Sequence, residues 1–384
     1  MPLLIAVAVI TILHACGRRG VMQKKHCVQS VTVLLTIFSG FRSWWMGDLI
    51  KYYTLYLNCN GPDWKNYVFD DATNIGLRLL FRVAGAVHIS YDICIFLIAA
   101  LVAICLGVLI FRYSPSPYWS YLMYIAMGFY LFTYSGLKQS IAMSFLIIAA
   151  IYYFEDRQIK MIIWVFVAAL FHVPALIFLL LLLLPSRKIG VQYFVTIVVL
   201  FTICFLFKGQ LVSLLSNWYY DEQDTYENIN ALGGRFIMMC FIMIIALILR
   251  PLNAWDRVYS RVFSMMIMAT LCQMFSVYDN NFSRLADYFF QFVVLFIPLM
   301  LESGTQQAKA FPAYKAKIRY WDRSVYILAS VCITAFSVWY YDSYLSASTA
   351  ILDDFKFFWQ IDPYSLYGRS VSYTHLTLPT NSLV

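Results

Sequence analysis

Four cations stand where apolar runs begin or end: Arg42, Lys138, Arg235 and Arg284. Charge beside hydrocarbon is costly and as a rule faces a cavity or a partner. The planar fork of arginine donates two hydrogen bonds at once, which suits a diphosphate. The plainer account is that each cation snorkels to headgroups or pairs with an acid. Four of them at equivalent positions fit that account less well than one would. Two residues could move a proton. His172 stands alone in Leu170-Phe171-His172-Val173-Pro174. An unperturbed pKa of about 6.5 makes it a usable base, although a lone histidine in an apolar run is commonly a structural residue. Asp48 lies six residues after Arg42. A carboxylate beside an arginine accepts protons less readily, so His172 is the preferred base and Asp48 the second candidate. Gln139 follows Lys138 in the polar joint Ser135-Gly136-Leu137-Lys138-Gln139. Asp279 precedes Arg284 across Asn280-Asn281, as a salt-bridge partner or a substrate contact. Ser140 and Ser144 make a small-residue face that helix packing explains. No phosphate-binding Walker loop, nucleotide-binding glycine fingerprint, HExxH or DxD pair occurs. An ATP-driven pump and a metal-dependent transferase are therefore unsupported, and neither metal nor cofactor is expected.

These residues must be positioned by a very apolar chain. Of 384 residues 62% are hydrophobic and 12% charged, about half the charged share of soluble domains. Many windows of about 18 residues are nearly free of charge, long enough to cross a bilayer as helices. The runs do not alternate apolar with polar, which excludes a barrel. The expected class is an all-α polytopic integral membrane protein, with about 11–12 transmembrane or re-entrant helices and amphipathic external helices. The net charge of +8 reflects loop topology rather than nucleic-acid binding. The nine cysteines are scattered singly and read as small buried hydrophobes.

Apolar segments fall at about 3–16, 28–41, 92–111, 118–134, 139–154, 160–171, 173–184, 191–207, 235–250, 260–275, 284–301 and 324–341. The run Leu3–Ala15 lacks a charged start and a cleavage signal, so it is taken as a first span. The connections alternate between two sets. Eleven of the 28 basic residues fall in the second set: Arg42, Lys51, Lys65, Arg78, Arg82, Lys138, Lys208, Arg235, Arg284, Lys356 and Arg369. The first set, with its segment edges, holds the other 17, mostly in short loops. The positive-inside rule makes the first set cytoplasmic and the second external. This bookkeeping requires 160–184 to bend back at His172-Val173-Pro174. Pro174 removes a donor and disfavours helix in the residue before it. Each arm is then about 17 Å long as α-helix, short for a full span.

Two external segments are too long to be simple connectors. Residues 42–91 carry Trp44, Trp45, a Gly61-Pro62-Asp63 turn, and an apolar stretch Asn74–Val87 with Arg78 and Arg82 four apart. The last reads as an amphipathic helix at the membrane surface. Residues 208–234 are acidic and aromatic. Residues 1–341 are expected to form a single multi-span membrane domain, followed by an external tail over 342–369. From Val371 the chain reads VSYTHLTLPTNSLV, unlike everything before it. Residues 370–384 are expected to be read-through from outside the gene.

With these residues in place, the chain resembles the EpsG family of Wzy-type exopolysaccharide and O-antigen polymerases. Three stretches carry the resemblance: Arg42 with Gly47-Asp48 and Tyr52; Gly136-Leu137-Lys138-Gln139 before an alanine-rich helix; and Phe171-His172-Val173-Pro174-Ala175-Leu176. Lys138 replaces the family's commoner arginine. Asn74-Ile75-Gly76 departs from an acidic Glu-Pro-Gly often found there, so nothing is carried over to it. The resemblance implies a multi-pass protein of the bacterial cytoplasmic membrane that builds capsule-like or O-antigen polysaccharide. Its partners would be the lipid bilayer, an undecaprenyl-diphosphate-linked oligosaccharide and a chain-length regulator. It implies inverting, metal-independent glycosyl transfer between lipid-linked repeat units. Arg42, Lys138, Gln139, Arg235, Asp279 and Arg284 would bind the substrate, with His172 or Asp48 as base. A transporter or flippase of the same lipid-linked sugars could use the same arginines, but would show repeated halves with matching broken helices. Only one broken pair is visible in the sequence. An acyltransferase would need a second polar group beside the histidine, and Trp164–Phe171 offers none.

The charge split makes a direct prediction. In a cysteine-free variant, a single cysteine at Gln306 stays unlabelled by an impermeant thiol reagent added outside intact cells. Strong labelling there overturns the whole topology.

Overall fold

The computed structural model describes residues 2–18, 23–43, 48–69, 75–184, 233–253, 257–277, 281–310 and 315–340, with a few single positions between 195 and 210 and at Phe357. These residues form helices and no strand, and they divide into two compact units. The first unit spans residues 1–176 with 341–383, the second 177–340 with 384.

In the first unit α1 is Pro2–Arg18, α2 Lys24–Gly40, α3 Leu49–Asn60, α4 Trp64–Phe69, α5 Ile75–Ala86, α6 Tyr91–Tyr113, α7 Pro117–Ala126, α8 Phe129–Phe132, α9 Leu137–Phe154 and α10 Gln158–Phe171. Among the described residues α6 and α9 are long and apolar enough to cross a membrane, and α10 is a shorter apolar helix. Local signals set the ends of α6. Ser90 is extended at its start, Asp92 lies in the first turn and Arg112 in the last, each charge favourable to the helix dipole. Pro117 opens α7, where its missing N–H costs nothing. The expected segment 118–134 is interrupted: Gly128 is left-handed at φ 81° and separates α7 from α8. A left-handed residue cannot continue a right-handed helix, and glycine adopts that conformation without strain.

In the first unit side-chain contacts tie connections together at either end of the helices. At one end Lys24 Nζ donates to Ser114 O at 2.7 Å, and Arg112 and Arg157 pair with Glu155 at 3.6 and 3.5 Å. At the other, Arg42 reaches Thr133 O, and Tyr91 Oη donates to Leu49 O, both at 2.7 Å. Phe357 forms an isolated backbone bridge with Arg42 at this same end.

The segment 49–86 is a packed layer. Leu49, Cys59, Val68, Leu77 and Phe81 share a core with Tyr91, Cys94 and Ile95 of α6 and with Leu137 and Ile141 of α9. A fully buried phenylalanine such as Phe81 contributes about 1.5–3 kcal/mol. The expected helix over Asn74–Val87 is α5, and it is amphipathic: Leu77, Phe81 and Ala84 face the core while Val83 and Val87 are 61% and 58% exposed. Asp63 and Pro62 form the expected turn between α3 and α4.

In the second unit the described helices are Gly234–Asn253, Arg257–Met274, Asn281–Phe290, Val293–Ala310 and Lys315–Tyr340. The expected apolar segment 284–301 is made of two helices, Phe282–Phe290 and Val293–Leu301, bent by 46°. The Gln291 side chain donates to Tyr288 O at 3.1 Å, and a side chain entering the backbone ladder is a standard cause of a kink. Described cysteines are free thiols, with Cys59, Cys94, Cys105 and Cys272 buried.

Gly76 is where α5 crosses the end of α10. A Cβ there would lie 2.9 Å from Leu170 O and 3.0 Å from its carbonyl carbon. Backbone cannot yield as a side chain can. Gly76→Ala is expected to destabilise the protein by about 1–3 kcal/mol, read as a lowered unfolding temperature in detergent. An unchanged unfolding temperature shows that α5 is not packed on α10.

Candidate functional site

The site is best built outward from Arg42, one residue past the C-cap of α2. It is 3% exposed. Its Nη1 donates to Ser39 O at 2.5 Å and its Nη2 to Thr133 O at 2.7 Å. The guanidinium carbon lies 4.6 Å from the centre of the Tyr134 ring. Tyr134 Oη in turn donates to Tyr130 Oη at 3.0 Å. Nε is buried and has no hydrogen-bond partner, and among the described residues no carboxylate forms an ion pair with Arg42. Arginine keeps its proton in proteins, so the side chain is a buried charge balanced by carbonyl dipoles and an aromatic face. A cavity of about 10 Å³ adjoins it, lined by Ser39, Tyr124, Tyr130 and Thr133 among others, room for about one water.

The Thr133 carbonyl that Arg42 holds belongs to the turn leading into the polar joint. Thr133, Tyr134 and Ser135 form turns, Gly136 precedes α9, and Lys138 and Gln139 lie in the first helical turn. Lys138 is half-buried and Gln139 buried. The Ser140 amide donates to Gly136 O at 2.8 Å, while its buried hydroxyl has no hydrogen-bond partner. Ser144 Oγ donates to Ser140 O, so this face packs through its backbone as the small residues lead one to expect.

His172 caps α10 in extended geometry, φ −154° and ψ 105°. It is 6% exposed. Its N–H donates to Ala168 O and its carbonyl accepts from the Ala175 N–H, both at 3.0 Å. The break expected at His172-Val173-Pro174 is therefore present. The second arm, Val173–Leu183, is a 3₁₀ helix rather than an α-helix. With a rise of about 2.0 Å per residue it covers about 22 Å, more than the 17 Å of the α-helical estimate. Phe171 packs on Phe145, ring centres 5.3 Å apart. Phe145 is eight residues into α9, so the histidine sits well below Lys138 along the helix pair.

Asp48 is not paired with Arg42. It begins α3 and forms an ion pair with Lys51 at 3.1 Å, with side chains 50% and 80% exposed. That is a solvated surface pair of small energetic weight. Trp44, Trp45 and Gly47 lie outside the described residues, as does Asp279. Arg82 of α5 stacks over Trp64 at 4.2 Å.

Arg235 and Arg284 belong to the second unit. Arg235 opens the Gly234–Asn253 helix, donates to Ser283 Oγ at 2.9 Å and pairs with Asp287 Oδ1. Arg284 is exposed, one turn before Asp287. Sequence reasoning did not single out Ser283 or Asp287. The available signal was a lone acid inside an apolar run, which calls for a cation.

A family model, described as the EpsG family, matches residues 26–346. The chain belongs to the EpsG family. Arg42, Lys138, Gln139, His172, Arg235 and Arg284 all fall within that match. No curated protein and no solved structure matches the chain. EpsG proteins are associated with polysaccharide biosynthesis.

Arg42 joins two helices through both ends of its fork. Lysine cannot hold two carbonyls in that geometry. Arg42→Lys is expected to lower stability by about 1–3 kcal/mol, since a buried acceptor loses its donor. Thermal unfolding of the purified variant checks this, and a variant as stable as the parent shows that a point charge suffices.

Proposed function

We propose that this EpsG-family member is a polysaccharide polymerase. It transfers undecaprenyl-diphosphate-linked oligosaccharide repeat units on the outer face of the bacterial cytoplasmic membrane. The observation that carries the reading is the buried Arg42 guanidinium, which has no carboxylate partner among the described residues and is held beside the Lys138–Gln139 joint. Buried charges are ordinarily paired. A cation whose two outer nitrogens rest on neutral carbonyls and whose Nε has no partner is suited to an anionic ligand. A diphosphate supplies that charge and its geometry.

In this reading the acceptor sugar hydroxyl attacks the anomeric carbon of the donor repeat unit. A new C–O bond forms as the bond to the diphosphate breaks, with inversion. The hydroxyl proton passes to a base, and undecaprenyl diphosphate departs with the electron pair. Arg42, Lys138 and Gln139 of the first unit bind the diphosphate; Arg235, Asp279 and Arg284 are separate substrate-binding candidates. His172 is the base. Its burial at a helix break keeps it from bulk water. Asp48, exposed and paired with Lys51, is better suited to meeting the acceptor sugar than to taking its proton. The diphosphate is the leaving group, so the reaction needs no ATP. A chain-length regulator is the expected protein partner.

The test is polymerisation of purified lipid-linked repeat units by the purified protein. His172→Ala is expected to lower the rate by about 10²–10⁴-fold, the usual cost of losing a general base, while Asp48→Asn keeps most of it. Thermal unfolding of both variants separates folding from chemistry. Near-normal polymer from a folded His172→Ala returns the histidine to a structural role and passes the proton to another group.

A further inference from the structure

The end of the first unit that carries Lys24, Arg112 and Arg157 has no part in the functional reading above. Arg112 lies in the last turn of α6, and Arg157 stands just before α10. Both guanidinium groups turn to one carboxylate, Glu155, at 3.6 and 3.5 Å. A charge-assisted hydrogen bond from a guanidinium to a carboxylate is about 2.7–2.9 Å long, so the acid orients the two forks without saturating them. Their side chains are 52% and 57% exposed. Lys160, in the first turn of α10, lies over the Tyr152 ring at 5.4 Å, and among the described residues it pairs with no carboxylate. Lys24 joins this end through Ser114 O and lies 5.7 Å from the centre of the Phe111 ring. Lys24, Arg112, Arg157 and Lys160 outnumber the carboxylates of Glu155 and Asp156.

Next to the cations the surface is apolar. Ile159, Ile163, Phe166 and Leu170 follow one another by four, three and four residues, so they share one face of α10. All four are exposed, Ile159 to 76%. On α6 the exposed Phe111 adjoins Arg112 in the same way. Cations at the rim of a hydrocarbon face select among ligands. A soluble anion makes no use of the apolar stripe. An acidic protein segment would have to leave water to reach it. A zwitterionic lipid covers the stripe but brings its own cation to the phosphate. An anionic phospholipid meets both halves, with its phosphate at the forks and its acyl chains on the stripe. The charge pattern assigns this end to the cytoplasmic side, where the leaflet surface is negative.

We propose that Arg112, Arg157 and Lys160 form a binding site for the phosphate of an anionic phospholipid, whose acyl chains lie along the exposed face of α10. Glu155 does not touch the lipid. It draws the two guanidinium groups to one place, so that a single phosphate can meet both. The site is independent of the polymerase reading and of the Arg42 centre, which lies at the opposite end of the same helices.

The experiment places the full chain in nanodiscs of phosphatidylcholine and phosphatidylglycerol in equal amounts, and native mass spectrometry reads which lipid stays bound on release. The parent is expected to retain phosphatidylglycerol about tenfold or more over phosphatidylcholine, and equal retention overturns the inference. Each cation near an anionic lipid surface is worth about fivefold in binding, so Arg157→Gln lowers the ratio by about that factor. Lys65→Gln removes an exposed cation from α4 at the other end and leaves the ratio unchanged. An equal fall in Lys65→Gln shows a response to net charge alone and overturns the inference. Lys160→Gln covers the case in which Arg157→Gln does not fold, because Lys160 meets only an aromatic face. A folded Lys160→Gln with the parent's ratio overturns the inference too. Soluble glycerol phosphate in excess is expected to leave the bound lipid in place. Its displacing the lipid shows a site for free phosphate esters and overturns the assignment to phospholipid.

Discussion

A charged side chain inside an apolar bundle has to be solvated by the protein, and the first unit is arranged around that requirement. Arg42 satisfies it with two backbone carbonyls and a tyrosine face. One carbonyl is at the end of α2. The other comes from the turn that leads to Lys138 and Gln139. The same guanidinium therefore sets the distance between α2 and the joint before α9. Carbonyl dipoles compensate a cation less fully than a carboxylate does. An internal acid at this position would hold the helices together as well, but would cancel the charge.

The segment between α2 and α6 has a related role. It folds on its own aromatic core of Tyr56, Phe81 and Tyr91, and its last helix touches α10 at Leu170 and Phe171, immediately before His172. A connector would leave the histidine break unsupported. A packed helical layer fixes where α10 ends, and the exposed Val83 and Val87 on its outer side suit contact with lipid. The end of α10 and the outer face of α5 are in this way mechanically connected within one unit.

In the second unit the same principle appears with a different solution. Arg235 has a true counter-ion in Asp287, and that acid is carried by a helix bent after Phe290. The kink follows from Gln291 bonding the Tyr288 carbonyl. Arg42 and the Lys138–Gln139 joint in one unit and Gln291 in the other thus occur where regular helix is interrupted. At such places backbone groups are open to side-chain partners, and irregular backbone at depth must face protein or a wet space.

The sequence by itself determined the class, the apolar helices α6 and α9, the amphipathic α5, the break at His172, and the family. All of these follow from composition and from local effects: long uncharged runs, the period of apolar residues, and the missing donor of Pro174. The tertiary structure alone decided partners. It gave Asp48 to Lys51 and not to Arg42, sank Arg42 among carbonyls, joined Arg235 to Asp287 across 52 residues, and bent the segment 284–301. It also explained Gly76, an unassigned residue in the sequence, as the point where α5 meets the α10 backbone. Pairings of this kind depend on which helix faces lie against each other. A single chain of apolar runs does not encode that in any short window, because every face of such helices is greasy enough to be buried.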